Sequence, residues 1–540
     1  MVKNVFEQTF PLYVTVETEE GVFSDFYEKN KIYGNSVKVL LTAEKQEMNI
    51  QLEAPADTVK SVKLRFASSI FQGTRILGDA WERGYGDLEW KGISARRFCP
   101  WYVLAYKGTT LYCAGVKVRP GALCMWQVDT EGYTLYLDVR NGGRGVKLGK
   151  RVLEAASVLR YVYTDCLVYE AGRDFCRSMC TDPIFPEKPV YGSNNWYYAY
   201  GNTSEKDILE DTRYLLSLTE NLENPPYMVL DDGWQVMHKV DGYNGGPWTE
   251  GNEKFPDMKG LADKIRKAGA IPGIWFRPLQ DDYGDFTEEM RLPCGGLDPT
   301  HPRVIQQVRE DITRICQWGF RLIKHDFTTY DIFHKWGFQM NPLMTSDGWN
   351  FYDRSRTSAE IVRDLYSVIL EAAKPYDTII LGCNTIGHLG AGLMHMNRVG
   401  DDTSGKNWER TRCIGINTLA FRLMQNRTFF DIDADCVGIT EKIPWRYNRQ
   451  WADVVARSGT SLFLSVKPGI LSEIQKEELQ IIMKTASKQD HHAYPVDWVE
   501  NDCPEIWRDG EELCHYHWYE KEGAFFRNDG ERYTTYLCCF

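Results

Sequence analysis

A chain of 540 residues, 43% of them hydrophobic, is globular and long enough for two or three domains with sizeable cores. Its net charge of −12 and pI near 5.5 come without any basic block, which excludes a nucleic acid or an anionic membrane surface as partner and favours a neutral, polar small molecule. No run approaches the roughly twenty apolar residues of a membrane span, the start lacks the apolar core of a signal peptide, and the cysteines show no C-x-x-C spacing; the expectation is a cytoplasmic protein with buried free thiols.

In residues 1–185 short β-rich runs alternate with turns: "LYVTVET", "VKVLL", "SVKLRFA", "WYVLAY" and "TLYCAGVKV". This pattern predicts an antiparallel β-sandwich. Within it "GDAWERGYGDLEW" is dense in aromatics and acids, and Trp81 or Trp90 is a candidate to reach across to a neighbouring site. The proline-punctuated "DPIFPEKPVYG" reads as a linker.

Over residues 186–470 the texture changes to strand and helix in alternation. Eight strands are expected, in "PVYGSNNW", "PYMVLDDGW", "IPGIWFRP", "FRLIKHDF", "TIILGCN", "LMHMNRVG", "TFFDIDAD" and "SLFLSVKPG". Apolar residues recur at helical spacing between them, as in Ile208, Leu209, Leu215 and Leu216, and in Val304, Ile305, Val308, Ile312 and Ile315. Pro302 and Gly319 bracket the latter helix as start and stop signals. Eight such units predict a (β/α)₈ TIM barrel, with its active site at the C-terminal ends of the strands. Residues 471–540, a short helix and then β-like runs, are expected to form a small C-terminal β domain.

Several of these strands end in charge. Lys324 and Asp326, two apart in a strand, share a face while His325 points oppositely. Asp231, Asp232 and Trp234 end the second strand, Trp275 sits in the third, Cys383 and Asn384 end the fifth, and Arg398 precedes Asp402 by four positions. Carboxylates gathered at one mouth are costly unless cations and ligand hydroxyls compensate, so such clusters mark sites. Two separated carboxyls, one ionised and one protonated, suit glycoside cleavage. Asp326, beside Lys324, is expected to have a lowered pKa and act as nucleophile. Asp402, next to the like charge of Asp401, is expected to have a raised pKa and give the proton, with Asp401 the alternative donor. One of Trp234 and Trp275 is expected to touch the ligand, Cys383 to pack or line the pocket floor, and Asp433 and Asp435 to brace the barrel.

The ordered set "GSNNWYYAYGN", "LDDGWQ", "KFPDMKGLADKIRKAGAIPGIW", "LDPTHPRV", "WGFRLIKHD", "ILGCN", "RVGDDT" and "DIDADC" resembles glycoside hydrolase family 36, the α-galactosidases (melibiases), and the related family 27. The resemblance implies a retaining exo-α-galactosidase that takes an oligosaccharide, needs no metal or organic cofactor and forms a homo-oligomer. It implies Asp326 as nucleophile and Asp402 as acid/base, Lys324 and Arg398 on ring hydroxyls, and Asp231 and Asp232 on the 4- and 6-hydroxyls of galactose. Ser193, where the family usually has tryptophan, and His325, where it has an apolar residue, are departures. They leave an α-N-acetylgalactosaminidase or another galacto-specific α-glycosidase as the alternative. From other classes, a metal-dependent barrel hydrolase would use His325, His388 and His395, and a class I aldolase would use Lys324 as a free amine.

Overall fold

The computed structural model describes residues 9–240 and 242–519. The expected final β-like run "GAFFRNDGERYTTYLCCF" lies outside the described residues.

The first third forms two seven-stranded antiparallel sheets, one built on Tyr13–Thr18, Thr58–Ala67, Gly132–Asp138 and Leu123–Asp129, the other on Val37–Glu44, Glu47–Glu53, Val152–Thr164, Thr110–Val116 and Tyr102–Lys107. Period-two alternation places one side of each strand inside: Val14 and Val16, Met48, Ile50 and Leu52, and Val62, Leu64 and Phe66 all join one buried cluster. A helix the β-rich pattern did not suggest, Val168–Met179, follows the last long strand and buries Phe175, Cys176 and Met179. Thirteen cysteines are free among the described residues, and nine of them are buried.

The next region is a curled nine-stranded parallel sheet. In chain order its strands are β1 (Tyr191–Asn194), β2 (Tyr227–Leu230), β3 (Ile271–Phe276), β4 (Leu322–His325), β5 (Ile379–Gly382), β6 (Met396–Arg398), β7 (Asp431–Asp433), β8 (Val437–Ile439) and β9 (Leu462–Val466). Pairing runs from β7 in reverse order down to β1, then to β9 and β8. The two edge strands, β7 and β8, are successive pieces of one segment, and Asp433 bridges to Ser461 beside β9, so the curl returns to its start. The eight expected runs supply eight of the nine strands; β8, just past the run "TFFDIDAD", was not expected.

The helices on its outer face begin and end where the sequence signals them. Pro302–Trp318 opens on Pro302 and stops at Gly319, whose φ of 106° is left-handed, and it buries Val304, Val308, Ile312 and Ile315. Ser358–Ala373 and Glu473–Ala486 both start with a capping box, Thr357 with Glu360 and Ser472 with Gln475. Glu473–Ala486, counted with the C-terminal region in the sequence reading, lies against the outer helices. Its Gln480 donates to the carbonyl of Ser217 over 3.0 Å, and its Glu478 accepts from Trp445 Nε1 over 2.6 Å. After it comes a three-stranded antiparallel sheet of Tyr494–Pro495, Ile506–Asp509 and Glu512–His515. Among the described residues no helix is long and apolar enough to cross a membrane.

The segment 334–357 after β4 is stitched to the antiparallel unit. Gly337 N donates to Glu82 over 2.8 Å, Phe351 N to Asn141 Oδ1 over 3.0 Å, and Gly143 N to the carbonyl of Trp349 over 2.9 Å. Asn141 Nδ2 in turn donates to the carbonyls of Asp353 and Arg356.

Candidate active site

At the C-terminal ends of the strands lies a cavity of about 590 Å³, measured with its open mouth. Asp231, Asp232, Trp275, Lys324, Asp326, Arg398, Asp401 and Asp402 line it, so both expected reacting carboxyls face one space.

Asp326 follows directly on β4. Its Oδ1 accepts the N–H of Phe327 over 2.7 Å and its Oδ2 the indole N–H of Trp275 over 3.1 Å. Phe327 takes a left-handed φ of 62°, an unfavourable conformation for an aromatic residue that turns the chain sharply out of the strand. The guanidinium of Arg277, tied to Asp331, lies 4.2 Å from the Phe327 ring and holds it there. Asn384 after β5 and Asp435 between β7 and β8 are left-handed too, at 49° and 78°, so backbone strain gathers at this end of the sheet.

Lys324 does share the face of Asp326, but its ammonium is given to Asp231 Oδ2 at 2.8 Å. Burial works against the charge on Lys324. The Asp231 carboxylate outweighs it and holds the pKa well above the ordinary value, so the amine is not free for Schiff-base chemistry. Asp231 Oδ2 also accepts Asn194 Nδ2 at 2.6 Å, and Asp232 Oδ1 accepts Gln235 Nε2 at 2.7 Å.

Arg398 is buried at the end of β6 and reaches three carboxylates: Asp433 at 3.2 Å, Asp435 at 2.6 Å and Asp402 at 3.3 Å. Asp433 and Asp435 therefore brace the site through Arg398, and Asp435 also lines the pocket. Asp402 is half-exposed, with 46% of its side chain accessible. Its charge state reverses the sequence expectation. Burial pushes its carboxyl up, but Arg398, Arg83, Lys324 and Arg410 together outweigh burial and hold it below the ordinary range. The raised carboxyl is that of Asp401, through burial and the neighbouring Asp402 charge, against the pull of Arg83 and Arg410. The like-charge argument identified the pair but not the four cations that decide which member keeps the proton.

Three expected pocket residues lie elsewhere. Trp234 is fully buried, donates to the carbonyl of Trp275 over 2.9 Å and packs on Trp248 and Trp318, so Trp275 is the tryptophan of the two that faces the cavity. Cys383 is buried behind the wall, where burial raises its thiol. Asn384 is turned away to Glu82 and accepts the N–H of Tyr330 at 3.0 Å. Neither Trp81 nor Trp90 reaches the mouth; they pack edge-on to Trp101 and Trp498. Arg83, between them in sequence, lines the cavity instead.

Sequence reasoning also passed over Asn194, Trp196, Tyr197, Asn244, Phe327, Trp336 and Cys436 in the lining. The run "GSNNWYYAYGN" carries the first three, and its place across the C-terminal end of β1 was the available signal. The histidines of the metal reading stay out of the cavity. His325 is fully buried with its ring 5.7 Å from Tyr366, His388 contacts the carbonyl of Val116, and His395 accepts the N–H of Ile380.

No family model matches the chain, and no curated protein matches it. Solved structures do. An α-galactosidase from Thermus thermophilus in complex with p-nitrophenyl α-D-galactopyranoside is similar with a TM-score of 0.60 at 16% identity, covering 89% of this chain and 99% of that one. An α-galactosidase from Lactobacillus brevis gives 0.58 at 12% identity over 93% of this chain and 77% of that one. The cycloalternan-forming enzyme from Listeria monocytogenes, in complex with a pentasaccharide substrate, gives 0.51 at 14% identity over 94% of this chain and 55% of that one. At these identities the likeness establishes a shared fold: the chain has the fold of the α-galactosidases.

Proposed function

We propose that the cavity is the active site of a retaining, exo-acting α-galactosidase on an eight-unit barrel, with residues 186–470 as its catalytic domain. The observation that carries the reading is that Asp326 and Asp402 face one cavity with Lys324 and Arg398 between the surrounding acids. Asp326, oriented by the Trp275 indole and the Phe327 N–H, attacks the anomeric carbon and forms a glycosyl-enzyme. Asp402 protonates the departing oxygen and later takes a proton from water. Its four cations favour the anion it must be in that second step, so protonation for the first belongs to the substrate complex or to acidic pH. Asp231, with Lys324 and Asn194 fixing one oxygen, and Asp232 would accept the hydroxyls of a terminal sugar. The fold shared with α-galactosidases, one of them bound to an aryl α-galactoside, supports this choice of sugar.

The test is hydrolysis of p-nitrophenyl α-D-galactopyranoside beside the α-N-acetylgalactosaminide and the α-glucoside, with NMR detection of the first anomer released. Asp326→Asn should lose at least about a thousandfold in kcat. Turnover of the variant near that of the wild type, or release of the β-anomer first, would remove the retaining mechanism.

A further inference from the structure

One cation at Asp402 does not come from the parallel sheet. Arg83 follows the strand Arg75–Gly78 of the antiparallel unit, and its backbone runs beside the segment that carries the acids. Gly84 N donates to the carbonyl of Val399 over 2.8 Å, and Asp401 N donates to the carbonyl of Gly84 over 2.9 Å, making a parallel bridge between Gly84 and Gly400. A Cβ on either glycine would collide with Thr418, so only two glycines let the segments approach this closely.

The side chain is held as firmly. Arg83 Nε donates to Glu82 over 2.7 Å; Glu82, fully buried, also accepts the hydroxyl of Tyr85 at 2.7 Å, the N–H of Gly337 at 2.8 Å and the amide of Asn384. The far end of the guanidinium then lies 3.1 Å from Asp401 Oδ1 and 3.7 Å from Asp402 Oδ1, with its flat face 5.5 Å from the Trp336 ring.

We propose that Arg83, delivered to the pocket by the antiparallel unit, is a positioning residue for Asp402: it fixes where that carboxyl sits and how readily it takes a proton. The assignment of Asp402 as acid/base rests on the glycosidase reading above. Seven groups bear on Asp402: the cations Arg398, Arg83, Lys324 and Arg410, and the acids Asp401, Tyr197 and Asp435. Arg398 reaches Asp402 at 3.3 Å but divides itself among Asp402, Asp433 and Asp435 and does not reach Asp401, while Lys324 is committed to Asp231, and Arg410 to Asp401 and the carbonyl of Asp402. Arg83 is the side chain whose fork spans both Asp401 and Asp402, so it sets the spacing of the two carboxyls.

The experiment compares Arg83→Gln, Arg83→Lys and Gly84→Ala with the wild type by two readouts. In protein labelled with ¹³C at the aspartate carboxyls, with Asp402→Asn identifying the resonance, Asp402 should titrate at higher pH in Arg83→Gln and Gly84→Ala, and in between for Arg83→Lys. On p-nitrophenyl α-D-galactopyranoside, the falling limb of kcat/KM should move to higher pH in Arg83→Gln, with kcat down about a hundredfold and KM changed much less. A purely structural role would lower both constants without moving the limb. If Arg83→Gln fails to fold, Arg83→Lys and Gly84→Ala decide. An Asp402 titration unchanged in the folded variants overturns the proposal. Wild-type protein inactive on every glycoside would sink the glycosidase reading alone, because the carboxyl titration still reports whether Arg83 governs Asp402.

Discussion

Lys324 gives its ammonium to Asp231, at the end of β2 two strands away, and not to Asp326 just past the end of its own strand. Asp326 is left to the neutral donors Trp275 and Phe327. Each side chain of the Lys324–Asp231 pair is less than a tenth exposed, so removing either partner strands a buried charge. Lys324→Met and Asp231→Asn should each cost about 3 to 5 kcal/mol in urea unfolding and abolish turnover. The double variant should cost less than the sum of the two. Additive losses would show that the pair is not coupled.

The two tryptophans expected at the pocket separate in the same way, Trp275 facing the cavity and Trp234 the core. Trp275→Phe deletes the indole donor to Asp326 and should lower kcat about tenfold or more, with stability almost unchanged. Trp234→Phe, in the core, should lower the unfolding midpoint and leave kinetic constants within about twofold. Reversed effects would place the functional cavity on the other side of β3.

Asp211, on the outer helix Glu205–Leu218, is pushed up to about 7 by burial, and the Tyr198 hydroxyl donates to it. Its folded pKa lies above its unfolded one, so its contribution is fully present below pH 3.8 and is lost as pH rises through 7. Asp211→Asn should therefore be more stable than the wild type at pH 8, on the order of 2 kcal/mol, with the gap closing toward pH 4. A gap that ignores pH in thermal melts would refute this.

His325 behaves with the opposite sign. Burial lowers it to about 3, so the folded protein holds it neutral while the unfolded chain takes up a proton below pH 6.5. Stability from this group is present above 6.5 and drains away as pH falls toward 3. His325→Leu should flatten the loss of thermal stability between pH 6.5 and 4 and leave turnover within about threefold, because the ring faces Tyr366 and not the cavity. A turnover loss of the size expected for Asp326→Asn would place His325 in the chemistry.

At the mouth, Trp336 stacks on Tyr330 with ring centroids 4.4 Å apart and lies beside Phe327. This flat face suits the leaving group of an aryl glycoside. Trp336→Ala should raise KM for p-nitrophenyl α-D-galactopyranoside about tenfold and change kcat less. An unchanged KM would move the leaving group to another wall.

What could be read from the sequence follows from what is local. The shared face of Lys324 and Asp326, the opposite face of His325, and the Pro302 and Gly319 limits of one helix depend on strand and helix periods and on turn chemistry, and each was legible. The Val168–Met179 helix was not, because it is short, contains Gly172 and follows a run of strands. Arg83 meets Asp401 across more than 300 residues of chain, and no periodicity connects them. The charge of Asp402 was misjudged for the same reason: its neighbour in sequence is one acid, while its neighbours in space include four cations.

The stitching of segment 334–357 to the antiparallel unit has a mechanical result. Trp336 stands next to Gly337, whose N–H is fastened to Glu82, and further down the segment Asn141 grips the backbone around residues 351–356. This wall of the cavity is a bezel fastened to the antiparallel sheets at both of its ends. Under the glycosidase proposal, discrimination there would operate by shape at rest: a guest would have to match the aperture as it stands, because widening this rim means breaking those hydrogen bonds.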